Sequence, residues 1–503
     1  MKSDDFAPAL KAPVPPTVSL YRGHVRDFGW MRRGLLVLLI FMTTLVAAYA
    51  QSYSVLTTFN INGLSGSGPY PLVQGFDGNF YGVTISGGPS GPTDAGTIFR
   101  VTPTGTLTTI FDFCPQSCAN GMNPVTALAL GTDGNLYGTA SGGGANLVGT
   151  AFKMTPSGTY TLLYTFCRTT SCTEGDFPKG TLLLAPDGNF YGTTWSSGFA
   201  PHKGGIFKLT PSGTLTPVYE FCIPSGCPDG GQPLAGLIEA SDGNFYGTAS
   251  GGGSKTPDGT IFKVNSAGVL KTLYRFSGPD GQAPAAPLVQ GRDGNFYGTT
   301  ELGGANGHGT VFKITPAGVL TTLYNFCSQT GCADGSDPTA GLTLATKGNF
   351  YGSTTGAGGT NTNGTIFEIT SAGTLTTLHS FAGGADGAFP TGALLQATDG
   401  NLYGTTAGDG IANWGTIYVL GVGLSPNVNS VPTSGNVGTG VTILGTNLTG
   451  ATKVAFNGVS SSFTVVSSSE ITTTVPTGAT TGKIKVMTPS GVLSTSFNFR
   501  VTP

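Results

Sequence analysis

Charged side chains are scarce in this 503-residue chain. Asp, Glu, Lys and Arg together make up 10% of it. The formal charge of −2 includes a net +3 in residues 1–50, so the remainder stands near −5. No basic tract is left to neutralise a run of phosphates, and nucleic-acid binding is not expected. Histidine is rarer still, at His24, His202, His308 and His379, and spacing fixes no carboxylate partner for any of them. No serine nucleophile elbow, P-loop or dinucleotide fingerprint stands in a suitable context, so no catalytic residue and no cofactor or metal ligand is assigned. Long apolar runs are missing after residue 50, and few segments carry helical periodicity.

Glycine is abundant instead, at 82 residues. It is interleaved with Phe, Tyr, Thr, Val and Ile, which marks turns between strands rather than disorder. The phrase Asp-Gly-Asn-Phe-Tyr-Gly at Asp77–Gly82 returns as complete or near copies from Asp133, Asp187, Asp242, Asp293, Lys347 and Asp399. The steps are 56, 54, 55, 51, 54 and 52 residues, a period that signals a repeat architecture. In the copy around Asp242, residues 233–239, 244–250, 259–264 and 269–276 read as four strands joined by tight turns, the size of a propeller blade. The tyrosine recurs in every copy, from Tyr81 to Tyr403, and is read as packing between blades. Lys347 in place of Asp argues against a repeated calcium ligand.

The outer-strand phrase occurs at residues 54–59 before any other strand, and the last repeat stops at Leu420 without one. The expected fold is therefore all-β: a seven-bladed β-propeller over 51–421, closed by an N-terminal strand that completes the seventh blade. A meander puts alternate connections on opposite faces. The Asp-Gly and Pro-Ser-Gly turns are nearly uniform, whereas the connections at the other end vary in length and composition. Function is expected on that diversified face. Its candidate ligand-binding residues are Trp195, His202, Glu301, His308, Asp409 and Trp414, within a Thr, Ser, Asn and Gly background that also holds Glu174, Asp229, Asp280 and Asp334.

Arg32-Arg33, an apolar run through Val46 and Ala48-Tyr49-Ala50 read as a secretory signal peptide (core 31–50) in a leader of 1–50, with Met1 or Met31 as the start. Contact with a membrane is expected only through that leader if it is not cleaved. All eight cysteines fall into local pairs: Cys114 with Cys118, Cys167 with Cys172, Cys222 with Cys227, and Cys327 with Cys332. In an exported chain such pairs read as disulfides. Lone pairs with no histidine nearby would make poor zinc sites.

After a linker at 422–425 the grammar changes. Pro432-Thr-Ser-Gly435, Val441-Thr-Ile-Leu-Gly-Thr-Asn-Leu448 and Val475-Pro476 with Thr477-Gly478 belong to short alternating strands. Residues 426–503 thereby resemble an IPT/TIG domain, an immunoglobulin-like β-sandwich. The repeats, with Asp-Gly-Asn-Phe-Tyr-Gly, Gly-Thr-Ile-Phe-Lys and Leu-Thr-Thr-Leu-Tyr, resemble the GloVer tandem repeat over nearly all of 53–420. That resemblance implies an exported bacterial protein and brings no catalytic residue. The expected function is non-enzymatic binding or surface interaction, its partner an extracellular polymer, glycan or protein, at an extracellular, cell-surface or periplasmic address. An extracellular propeller enzyme (a lyase or glycan-cleaving enzyme) and a structural envelope component are the alternatives.

Overall fold

A computed structural model of the chain describes residues 51–502 except 60–64, 90–94, 116, 169–171, 198–202, 224–225, 254–257, 357–361 and 409–413. The leader with its expected signal peptide lies outside the described residues, as do His202 and Asp409. Residues 50–503 form one compact unit. It is all β apart from three single turns of 3-10 helix among the described residues.

Seven antiparallel sheets of four or five strands arise from the repeats. In the fourth repeat, Phe245–Ala249, Thr260–Val264 and Leu270–Arg275 pair in sequence order, with Ile238–Glu239 beyond the first of them. Phe245–Ala249 is buried throughout, while Leu270–Arg275 alternates between half-buried and exposed, as expected of an outer strand. The first strand is shorter than its sequence suggests. Gln232 adopts a left-handed φ of 55°, and Pro233 after it has no N–H to donate, so ladder pairing resumes only at Ile238.

The outer strand of every repeat that has one carries a bulge at the same place. Residues 110, 163, 218, 273, 323 and 378 are each skipped in the pairing with the third strand. Ser52–Thr58 pairs antiparallel with Thr416–Gly421 and skips Leu56 in the same way. The N-terminal segment is thus built as an outer strand and serves the last repeat as one. The bulge carbonyl packs beneath a turn glycine of the following repeat. A Cβ on Gly213 would lie 2.7 Å from the Leu163 oxygen, and one on Gly105 2.5 Å from that of Leu56, so only glycine fits, at φ near 90°.

The recurrent tyrosine works as expected and also does more. In five of the seven repeats the ring packs on the aromatic that opens the second strand of the next repeat, as in Tyr137 on Phe190 and Tyr246 on Phe296, both at 4.1 Å between centroids; Tyr81 and Tyr351 cluster instead with Leu136 and Leu402 at that position. Tyr403 of the last repeat stands 4.3 Å from Phe80 of the first. Each buried phenol donates to its own turn: Tyr81, Tyr137, Tyr191, Tyr246, Tyr297 and Tyr403 reach the Asp carboxylate at 2.7–3.0 Å. The sixth repeat has Lys347 there, and Tyr351 donates instead to Glu368 at 2.9 Å. Glu368 occupies the third-strand position that holds Lys313 one repeat earlier. Acid and base have exchanged places, and the phenol keeps its acceptor.

The C-terminal segment forms two four-stranded sheets around a core of Val441, Ile443, Phe456, Ile471, Val486 and Phe499. It seats on the uniform turns. Ser469 donates to the Phe76 carbonyl in the first repeat. Arg500 and Ser434 meet Glu239 in the fourth. Asn427 bonds to Thr398 and Ala397 in the seventh.

Candidate functional site

The diversified face is built on a backbone device repeated at every junction. The residue before each first-strand proline has positive φ: Gly68, Asn123, Phe177, Gln232, Ala283, Asp337 and Phe389, between 50° and 62°. Its N–H donates to a carbonyl of the preceding repeat, from Ala95, Val148, Lys203, Asp258, His308 and Asn363 in turn. Gly68 donates to Trp414 at 3.1 Å, so the first repeat takes from the last what each other repeat takes from its predecessor. In four repeats the same pre-proline residue accepts a further N–H from the end of the second strand, from Ser141, Ser250, Glu301 and Thr355.

The four junctions of Asn123, Gln232, Ala283 and Asp337 therefore each display three side chains on a constant frame. Three of the expected residues fall at two of these positions: Glu301 at the strand end, His308 and Trp414 at the carbonyl position. Trp195 sits at the strand end in the third repeat. It is half-buried, edge-on to Phe177 at 6.3 Å, with the Lys179 ammonium 4.7 Å from its ring centre. Trp414 packs partly buried against the Phe59, Phe99 and Ile417 cluster. The pre-proline position went unremarked in the sequence, although its signal was there: a residue of changing type before a recurring proline. At that position Phe389 is 44% exposed.

Glu301, His308 and Asp337 come together. His308 Nδ1 lies 3.7 Å from the Asp337 carboxylate. Burial, and then the nearby Asp337 charge, push the Glu301 carboxyl above its ordinary range. The Cys327 and Cys332 sulfurs are also here, within 4.8 Å of a His308 nitrogen. The expectation that no histidine neighbours a cysteine pair is thereby corrected. Both sulfurs are joined in a disulfide, and metal coordination requires thiolates.

The other three expected disulfides are formed as well, joining Cys114 to Cys118, Cys167 to Cys172 and Cys222 to Cys227. The second cysteine of each pair, Cys118, Cys172, Cys227 and Cys332, accepts through its carbonyl the N–H of the glycine three residues on. Each bridge therefore closes a tight turn within one connection and links no two repeats. Cys118 differs from its counterparts in backbone: Cys172, Cys227 and Cys332 have left-handed φ values of 44°, 48° and 53°, whereas Cys118 opens a 3-10 turn, Cys118–Asn120. None of these eight residues offers a free thiol to a ligand.

Most acids of this face are structural rather than ligand-facing. Glu174, Asp229, Asp280 and Asp334 each accept the hydroxyl of an outer-strand tyrosine and a backbone N–H of the connection they stand in. His379 replaces that tyrosine once and pairs with Asp386 at 3.1 Å. It also stacks on Tyr53 at 3.8 Å.

These features define an all-β tandem-repeat protein with a C-terminal β-sandwich. The chain belongs to the Gloeobacter/Verrucomicrobia repeat family, whose model matches residues 39–228 and 224–418, and residues 426–501 match the IPT/TIG domain. Among solved structures it is similar to the periplasmic gluconolactonase PpgL of Pseudomonas aeruginosa, at 17% identity and TM-score 0.41, over 69% of this chain and 97% of that one. PorZ, a surface component of the type-IX secretion system of Porphyromonas gingivalis, is 14% identical with TM-score 0.43, over 85% of this chain and 58% of PorZ. A luciferin-regenerating enzyme is 12% identical with TM-score 0.38, over 75% and 97%. A comparison with curated proteins found no match.

Proposed function

We propose that this is an exported, non-enzymatic binding protein. Its seven sheets close into a propeller over residues 51–421, and residues 426–503 form an immunoglobulin-like module joined through 422–425. The variable face of the ring contacts an extracellular polymer, glycan or protein. The observation that carries this reading is the junction frame, with its constant backbone and changing side chains. A rigid scaffold presenting varied side chains is how binding surfaces are commonly built. The C-terminal module adds support: it covers turns at the opposite end of the sheets and leaves this face open. The half-buried Trp195 and the exposed Phe389 are the aromatic contacts such a face would offer a sugar ring or an apolar side chain.

The test is a glycan and protein array probed with folded 51–503, followed by Trp195→Ala and Phe389→Ala. Binding weakened by either variant supports the reading. A folded protein that binds nothing at high concentration sinks it. The grouping of Glu301, His308 and Asp337 favours a second reading, general acid–base catalysis on an extracellular substrate. Turnover of a glycosidic substrate, abolished by Glu301→Gln, would establish it in place of the first.

A further inference from the structure

Where the C-terminal module meets the fourth, fifth and sixth repeats, a cleft of about 500 Å³ remains. That volume suits a small-molecule ligand. Its walls bring together Arg292 from the ring with Lys483 and Arg500 from the module, and Glu239 is the only carboxylate among the described lining residues. In a chain this poor in charge, three cations around one cleft are unusual. Glu239 is committed, since it pairs with Arg500 and also accepts from Ser434. Arg292 donates to the carbonyls of Ala345 and Thr346. Lys483 donates to those of Thr495 and Ser496. Carbonyls orient these two cations without neutralising them. The Lys483 ammonium is disfavoured by burial and then by Arg292, which lowers its pKa to about 8. Leu288 and Phe497 supply an apolar side to the same cleft.

We propose that this cleft binds a small anionic sugar, its acid group held between Arg292 and Lys483 and its ring face against Leu288 and Phe497. The acid supplies the charge that the cleft lacks, and the ring supplies a surface for the apolar wall. A sugar carboxylate and a sugar phosphate share this chemistry. The site lies at the uniform end of the sheets and does not depend on the variable face.

Isothermal titration of folded 51–503 with digalacturonate, glucose 6-phosphate and neutral maltose tests it. At least one of the two anions should bind tenfold or more tighter than maltose, and which one binds identifies the acid group. Arg292→Gln and Lys483→Gln should each weaken that binding by about tenfold or more, the loss expected for one charge-assisted hydrogen bond. If Lys483→Gln disturbs the module by circular dichroism, Arg292→Gln carries the test, because its side chain extends from an exposed turn. The proposal is overturned if neither anion binds tighter than maltose, or if binding survives Arg292→Gln undiminished.

Discussion

Glu368 offers a test of what the recurrent turn carboxylate does. Its Oε1 accepts the Asn349 side-chain amide at 2.6 Å and the Tyr351 phenol at 2.9 Å. Tyr351 is 1% exposed, so its hydroxyl has no ready access to bulk water. Hydrogen bonds to a charged partner contribute about 1.5–3 kcal/mol each. Glu368 is itself half-buried, which favours the lower end, and Glu368→Ala should therefore cost about 3 kcal/mol. Lys347→Asp alone places a second carboxylate near the first and should cost up to about 1 kcal/mol. Combined, the two changes restore the turn carboxylate that accepts the phenol in the other six repeats. The double variant should return to within about 1 kcal/mol of the parent, a coupling of about 2–4 kcal/mol. Urea denaturation of 51–503 measures this through shifts in midpoint at constant slope. A double variant no more stable than Glu368→Ala would refute the reasoning, because Lys347 and Glu368 would then not be a compensating exchange.

Four further outcomes follow from the geometry. Burial raises the carboxyls of Asp133, Asp293 and Asp334, but their hydrogen bonds outweigh it and hold all three below the ordinary range. Their stabilisation is full above the unfolded-chain value of about 4 and is lost as pH falls through the lower folded values. The phenols behave in the opposite sense: burial, and then Asp280, raise Tyr274 to about 12. Stability should hold below about pH 10 and fall as pH rises through 12, read by circular dichroism alongside phenolate absorbance. Phe389→Gly should raise the thermal midpoint, because a left-handed non-glycine residue costs about 1–2 kcal/mol and this residue is 44% exposed; a lowered midpoint would show that the ring packs more than its exposure implies. Deleting residues 51–59 bares the edge of Thr416–Gly421 and should produce aggregation that a synthetic 51–59 peptide suppresses, scored by light scattering. A monodisperse, stable truncation would argue against ring closure by this strand.

Much of the fold was legible because it repeats. Seven copies average out local ambiguity, and the stray outer-strand phrase at residues 54–59 pointed to its partner at the far end of the chain. The short first strand was hidden because its backbone is set by a positive φ at a position where the residue type changes from repeat to repeat. The exchange between Lys347 and Glu368 was hidden for a different reason. The two positions are 21 residues apart and become neighbours only through the pairing of Tyr351 with Glu368. In the candidate site, Trp195, Glu301, His308 and Trp414 were legible as varied residues in a uniform frame. The role of Glu174, Asp229 and Asp334 was not, since a carboxylate that caps a tyrosine and a loop amide has the same sequence appearance as one that faces solvent.

The pairing of Ser52–Thr58 with Thr416–Gly421 also sets an order of events during synthesis. Ser52–Thr58 finds its partner only after more than three hundred further residues have been made. Until then the last sheet has no outer strand to recruit, and Ser52–Thr58 has no edge of its own to join. Each intervening repeat can form its own hairpins as it emerges, but this contact joins strands from the two ends of the repeat region. The repeat region therefore lacks this strand pairing for most of its synthesis, and completion of the last repeat is the event that supplies it.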